Sequence, residues 1–296
     1  MRSFSWPRRE CILQRVIKRI VLIIVSAGLL AGCGAGTSGS HTVVASFYPL
    51  AFAAQRIGGP GLHVENLTPP GAEPHDLELT PRAVGRIESA AFVLYLSHGF
   101  QPAVSKAVAQ ARGKRIDVLA GLPLRQSSEE GLTADPHVWL DPQLFVRIVR
   151  RIGVALHRPT SRLVADLRQL DREYRTGLRH CTRREIVTSH AAFGYLGQRY
   201  GLTQVAITGL TPESEPSPKQ LVHVVDIVRR THATTVFFET LVSPRLAQTV
   251  AREVGARTAV LDPIEGLTPS EQEHGDNYLT LMRRNLAALR QALGCQ

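Results

Sequence analysis

Short apolar runs alternate with amphipathic stretches along most of this sequence, and that alternation leaves few folds open. Runs at residues 42–47, 64–67, 92–96 and 115–119 read as strands, with helices opening at Pro49, at Thr80-Pro81 and at Pro102 between them. Further on the pattern returns. Strands are expected at 185–189, 203–207, 236–238 and 258–261, with helices at 193–200, from Ser217-Pro218 to Arg230, from Ser243-Pro244 to Glu253, and at 277–293. Short apolar strands separated by helices belong to parallel sheets covered on both faces. Between the two sets lie a helical stretch from Pro142 to about His157, a break at Pro159, and a second stretch from Ser161 to about Arg179. In the second stretch Leu163, Leu167, Leu170, Tyr174 and Leu178 form a narrow apolar stripe amid charge, which suits a helix crossing between two bodies. The expected fold is α/β: two lobes, each a mostly parallel sheet with flanking helices, bridged by one long helix. The lobes are expected at 42–160 and 182–296, with the bridging helix at 161–181.

The first 33 residues stand apart. Arg2, Arg8, Arg9, Arg15, Lys18 and Arg19 precede an apolar run at 20–30 that is too short to span a bilayer and has the proportions of a secretory signal. Leu30-Ala31-Gly32-Cys33 resembles a bacterial lipoprotein signal, which implies removal of residues 1–32, lipidation of Cys33 and a flexible tether over 33–41. Loss of 1–32 lowers the formal charge from +10 to +5, with the arginines read as scattered among acids. Nucleic-acid binding then has no electrostatic footprint. Of four cysteines, Cys11 leaves with the signal and Cys33 is taken by lipid. Cys181 and Cys295 remain, an even pair expected to form a disulfide in an oxidising compartment.

Chemistry concentrates at four corners. In ADPHVWLDP, His137 sits between two Asp-Pro pairs: Pro136 excludes helix before it, and Asp141-Pro142 reads as a helix cap followed by the first helical residue. His75 in GAEPHDLE, His190 in TSHAAFGYL and an acidic corner in LDPIEGL, carrying Asp262 and Glu265, complete the set. His75, His190 and the acidic corner lie just past the carboxyl ends of expected strands, where open α/β sheets place their ligands. Two corners fall in each lobe. Spacings of 62 residues from His75 to His137 and 53 from there to His190 match no local zinc-finger pattern, so a site would have to assemble between the lobes. Three imidazoles and a carboxylate suit a tetrahedral transition ion, whereas calcium and magnesium favour oxygen shells. His63, His157, His180, His223, His232 and His274 lie in helices, polar turns or beside basic residues and are read as ordinary. His41 belongs to the tether. His98, in LSHGF after a central strand, remains a candidate for the cleft.

The segments TPPGAEPHDLELTP, DPHVWLDP, TSHAAFGYLGQRYGL, ITGLTPESEPSPKQL, FFETLVSP and LDPIEGLT, in this order, resemble the zinc-binding substrate-binding lipoproteins of bacterial metal ABC importers, within the zinc/manganese solute-binding protein family. The resemblance covers essentially the whole chain after the signal. It implies His75, His137, His190 and Glu265 as metal ligands. Asp262 competes for the fourth place, because related manganese binders use an aspartate near there; DPIEGL is more similar to zinc members that use the glutamate. It further implies a monomeric protein, lipid-anchored on the extracytoplasmic face of the bacterial cell membrane, that hands Zn2+ as transported ligand to an ABC permease and performs no covalent chemistry. The loop at 126–133 lacks the histidine-rich run of many zinc members, so an accessory zinc-collecting role is absent. Three other readings compete: manganese or iron capture in the same class, a zinc-dependent adhesin, and a zinc hydrolase with Glu73 or Asp76 as general base. A fourth protein ligand would close the position that a hydrolytic water needs.

Overall fold

The computed structural model describes Ser3, residues 42–212 and residues 216–296. The expected signal segment (Ser3 aside), Cys33, the tether and His41 lie outside the described residues, as do Glu213, Ser214 and Glu215. The first half builds β1 (Val43–Ala45), α1 (Tyr48–Gly58), β2 (Val64–Asn66), α2 (Pro81–Ser89), β3 (Phe92–Tyr95), α3 (Pro102–Val108) and β4 (Lys114–Asp117). A 3-10 turn at Val138–Leu140 then leads into α4 (Pro142–Leu156) and α5 (Ser161–Gly177). The second half repeats the plan with β5 (Glu185–Thr188), α6 (Gly194–Tyr200), β6 (Thr203–Ala206), α7 (Pro218–Thr231), β7 (Thr235–Phe238), α8 (Arg245–Val254) and β8 (Arg257–Val260). Two helices follow, α9 (Pro269–Glu273) and α10 (Tyr278–Leu293).

Both sheets are parallel and have the same strand order, β2-β1-β3-β4 and β6-β5-β7-β8. The chain leaves the first strand of each sheet to one side and later crosses to the other. Carboxyl-end loops therefore diverge at β1/β3 and at β5/β7, which opens a crevice at each switch point. The expected two-lobe α/β architecture is what the chain forms.

Period-two alternation explains how the central strands β1, β3, β5 and β7 bury side chains on both faces. Val43, Ala45 and Leu94 face an inner core, while Val44 and Val93 face an outer layer closed by Ile87 of α2 and Val104 of α3. In the second sheet Ile186 and Phe237 point inward, and Val187 and Val236 pack outward under Val224 of α7 and Val250 of α8. The inner core is continuous from Val43 to Leu293 and takes in α4, α5 and α10. Helix α5 buries Leu163, Leu167, Leu170 and Tyr174 between α4 and α10, and Tyr174 Oη donates to the Met282 carbonyl at 2.6 Å.

Helix starts follow the expected chemistry. Asp141 accepts from the N–H groups of Gln143 (2.7 Å) and Leu144 (3.4 Å) with Pro142 in the first turn, and Ser217 and Gln220 form a capping box at α7. The helix expected from Ser243-Pro244 begins at Arg245, with Pro244 in the cap position. The Val138–Leu140 turn and α9 were not foreseen, because elements of three and five residues are too short to show a period. Cys181 and Cys295 form a disulfide across a sequence separation of 114.

One expectation fails. The arginines are not scattered: residues 142–184, which span α4 and α5, hold 11 arginines against three acidic residues, whereas the rest of 42–296 holds 18 basic and 21 acidic residues. The faces of α4 and α5 turned away from the core are dominated by arginine. Among the described residues no helix is long and apolar enough to cross a membrane.

Candidate metal centre

The loops beyond the carboxyl ends of the two sheets bring His75, His137, His190 and Glu265 together. His75 follows β2, His137 immediately precedes the 3-10 turn, His190 lies just past β5, and Glu265 lies between β8 and α9. All four are buried, and one ligand-type atom from each lies within 4.8 Å of every other. His137 Nε2 is 3.0 Å and His75 Nε2 3.3 Å from Glu265 Oε1; His190 Nε2 is 3.4 Å from His137 Nε2 and 3.7 Å from Glu265 Oε1. A tetrahedral zinc with bonds of ~2.0–2.1 Å sets its ligand atoms about 3.3 Å apart. These four distances lie near that edge length, and the ligand atoms of His75 and the other two histidines stay within 4.8 Å of one another. Glu265 Oε2 is buried without a hydrogen-bond partner among the described residues, so its charge is left for a cation to satisfy.

Two further carboxylates aim the rings. Asp135 Oδ1 accepts from His137 Nδ1 at 2.8 Å and from its backbone N–H at 3.0 Å. Glu239, just past β7, accepts from His190 Nδ1 at 2.8 Å and from Ser189 Oγ at 2.6 Å. An ionised carboxylate can only accept, so Nδ1 carries a proton in both rings, and Nε2, which faces the cluster, is the atom that can offer a lone pair to a metal ion. His75 is held differently, by its backbone N–H on Glu73 Oε1 at 3.0 Å and by edge contact with Phe100, ring centroids 4.6 Å apart. Sequence reasoning missed the part played by Asp135 and Glu239. Asp135 had a signal, standing two residues before His137 with Pro136 forcing an extended turn; Glu239 had only its place at the end of a strand beside β5.

Asp262 does not join the four. Its Oδ1 accepts from the Ile264 N–H at 2.7 Å, and its backbone exchanges hydrogen bonds of 2.9 and 2.6 Å with the Asn285 side chain. This shapes a corner in which Ile264 takes φ 59°, a conformation costly for a β-branched residue, immediately before Glu265. Trp139 Nε1 fixes the same corner from the first half by donating to the Pro263 carbonyl at 2.7 Å. His98 is exposed and bonds Thr133 Oγ1 through Nδ1 at 2.7 Å, which steadies the loop at 126–133 and keeps it out of the cluster. At Gly99, beside it, an added Cβ would fall 1.9 Å from the Gly131 carbonyl, so only glycine lets this loop seat. The loop then crosses to the second half, where Glu129 accepts from the N–H groups of Leu210 and Thr211. Asp76, one of the two candidate bases, is exposed.

Electrostatics set the protonation of the cluster. Burial is the largest influence on each histidine and pulls its pKa down; at His75 it wins, despite the attraction of Glu265. At His137 the hydrogen bonds to Asp135 and Glu265 outweigh burial and leave the pKa above the usual 6.5. At His190 the charge and hydrogen bond of Glu239, with Glu265, raise it well above that value. Burial favours a neutral Glu265, but His75, His137 and His190 together hold its pKa well below 4.5. Burial, helped by the charges of Glu271, Glu265 and Glu239 and opposed by the Ile264 N–H, lifts Asp262 to about 8. A largely neutral Asp262 suits its role as a fold-forming group.

Fold and cluster together define a two-sheet α/β binding protein with a buried pocket of nitrogen and oxygen donors between its halves. Residues 43–292 match the family described as zinc-uptake complex component A, periplasmic, and the chain belongs to that family. It is similar to the high-affinity zinc uptake system protein ZnuA of Bacillus subtilis, 33% identical over 90% of this chain and 94% of that protein. Among solved structures it is similar to the Zn(II)-bound ZnuA-like domain of Streptococcus pneumoniae AdcA, with TM-score 0.74 and 32% identity over 86% of this chain and 99% of that one. Against the full-length AdcA lipoprotein the match spans 61% of its length. The laminin-binding protein Lmb of Streptococcus agalactiae, described as bifunctional with adhesin and metal-transporting activity, aligns with TM-score 0.78 and 29% identity over 86% of this chain and 99% of that one.

Proposed function

We propose that this protein captures Zn2+ on the extracytoplasmic side of a bacterial cell membrane and delivers it to an ABC permease, with His75, His137, His190 and Glu265 as ligands. The observation that carries the reading is the convergence of three imidazoles and one carboxylate, their ligand atoms within 4.8 Å of one another, in a buried pocket. Membership of the zinc-uptake family and the names of its relatives support zinc as cargo. The donor set also favours zinc over manganese, which prefers a harder shell with more oxygen. Four protein ligands leave no open position for a hydrolytic water, so capture, and not catalysis, is the chemistry the pocket suits.

In this reading residues 42–160 and 182–296 are the two lobes and 161–181 the link between them. Each lobe supplies two ligands, so parting the lobes divides the shell and releases the ion. Acylation of Cys33 holds the monomeric protein at the membrane. The test is elemental analysis of purified protein followed by competition titration of zinc against manganese. Zinc at one equivalent and a preference over manganese are expected, with alanine at any of the four positions weakening zinc at least tenfold. Full zinc affinity after loss of two ligands, or a preference for manganese, would overturn the assignment.

A further inference from the structure

The segregation of charge along the chain points to a second surface with its own partner. We propose that the outer face of α4 and α5, continued by α10, docks on the anionic phospholipid headgroups of a bilayer. On α4, Arg147, Arg150, Arg151 and Val154 each lie within three or four residues of the next along one side of the helix and so form one row, and Arg158 follows just past the helix end. Val154 is 76% exposed, an apolar side chain set within a basic row. On α5, Arg168, Arg172 and Arg175 form a second exposed row. The two helices that carry the rows pack against each other.

Of the three acidic residues of this segment only Asp171 reaches a row, at 3.3 Å from Arg175, and each of the three is also paired with an arginine outside the segment. Asp166 binds Arg56 at 3.2 Å, Asp171 binds Arg199 at 2.7 Å, and Glu173 binds Arg283 at 2.9 Å. Arg147 and Arg151 donate to the carbonyls of Gly121 (2.8 Å) and Asp117 (3.0 Å), which steadies them without cancelling their charge. Between α5 and α10 runs a groove of about 740 Å³ lined by Arg172, Arg283 and Arg290 together with Gln169, Glu173 and Thr176. Glu173 already engages Arg283, which leaves Arg172 and Arg290 as the guanidinium groups that can pair with phosphate oxygens in this groove.

The character of the face selects a bilayer over other polyanions and over a protein. Its aromatic residues, Phe145 and Tyr174, are fully buried, so it offers neither the rings that stack on nucleic-acid bases nor the anchors of a protein interface. A broad array of arginines with one exposed aliphatic side chain is what an interfacial membrane contact uses. None of these arginines is among the four cluster residues or bonds to them. Docking and metal binding can therefore be separated by mutation.

The experiment is co-sedimentation of the chain from residue 33 onward, without the basic and apolar segment 1–32 and with Cys33→Ala so that it cannot be acylated, with vesicles of phosphatidylcholine alone or mixed equally with phosphatidylglycerol. Binding to the anionic vesicles only is expected, and it should fall as salt rises. Each arginine near an anionic surface contributes about a fivefold change in partition, so Arg150→Gln with Arg168→Gln should cost roughly twenty-five-fold. Lys106→Gln with Arg112→Gln, the same charge change on the far side of the first sheet, should cost much less. Zinc titration should read the same on both double variants, which shows that each has folded. Equal losses for the two pairs, equal binding to neutral vesicles, or tighter capture by soluble polyphosphate than by vesicles at matched phosphate would each overturn the proposal.

Discussion

At the scale of single residues the pocket works through proton placement. Glu239 accepts from His190 Nδ1 at 2.8 Å, and Asp135 from His137 Nδ1 at 2.8 Å, so each imidazole turns Nε2 toward the cluster, where a metal ion can take the place of its proton. Glu239→Gln keeps the size but can turn an N–H toward Nδ1 and remove the charge that makes the ring a better donor. Zinc affinity should fall about 10–100-fold, measured by chelator competition, with the melting temperature of the metal-stripped protein changed little by comparison. An affinity within twofold of wild type would mean that the pair is not what orients the ring. The raised pKa of His137 and His190 has a second consequence. In the metal-stripped protein their protonated forms stabilise the fold below about pH 6.5, and that contribution is lost as pH rises through their elevated native values. The depressed Glu265 acts in the opposite sense: its contribution is present above its ordinary 4.5 and is lost as pH falls through its native value. Zinc must displace the histidine protons, so the gain in melting temperature on adding zinc should widen steadily from about pH 5.5 to about pH 8. A gain independent of pH would exclude histidine ligation.

At the scale of elements, the loop at 126–133 is a segment whose form depends on both halves. It sits on Gly99 and Thr133 at one end and ends on the Leu210 and Thr211 N–H groups through Glu129. Hydrogen bonds to a carboxylate contribute about 1.5–3 kcal/mol each, so Glu129→Ala should let the halves part more readily. Zinc release to excess chelator should be about tenfold faster, with the association rate nearly unchanged; an unaltered release rate would show that this contact does not restrain opening. None of this could be read from the sequence, because it depends on which loops meet across some eighty residues. What the sequence did carry was local. Strands betrayed themselves by β-branched apolar runs, and helix starts by Thr80-Pro81, Asp141-Pro142 and Ser217-Pro218, each of which caps its helix as expected. The four corner residues were legible because Pro and Gly fix the corners and because those corners resemble known motifs. Asp135 and Glu239 were less so, since an acid beside a strand end is common and acquires meaning only from the ring it faces. The arginine face was hidden for another reason: charge was weighed over the chain as a whole, although it is concentrated in two neighbouring helices.

At the scale of the whole molecule, a continuous inner core ties the two sheets together, and the disulfide closes the second half on itself. Cys181 precedes β5, and Cys295 follows α10. The bridge thus lies at the amino end of β5, whereas His190 lies just past the carboxyl end of the same strand. In the chain-entropy account, closing a loop of this length is worth about 4.7 kcal/mol, through the unfolded state and not through the pocket. At about 2–4 °C per kcal/mol for a chain of this size, Cys181→Ser with Cys295→Ser should lower the melting temperature by roughly 10–20 °C. Zinc affinity at a temperature where the variant is fully folded should be unchanged. Scanning calorimetry of the metal-stripped protein gives the first quantity, and chelator competition gives the second. Because Ile186, Phe237, Leu289 and Leu293 belong to the same inner cluster as Val43 and Leu94, unfolding should remain one cooperative transition in the variant. Two separated transitions would mean that the bridge, and not the shared core, makes the second half unfold with the first. A loss of zinc affinity in the folded variant would place the strain of the missing bridge at His190, at the opposite end of the strand.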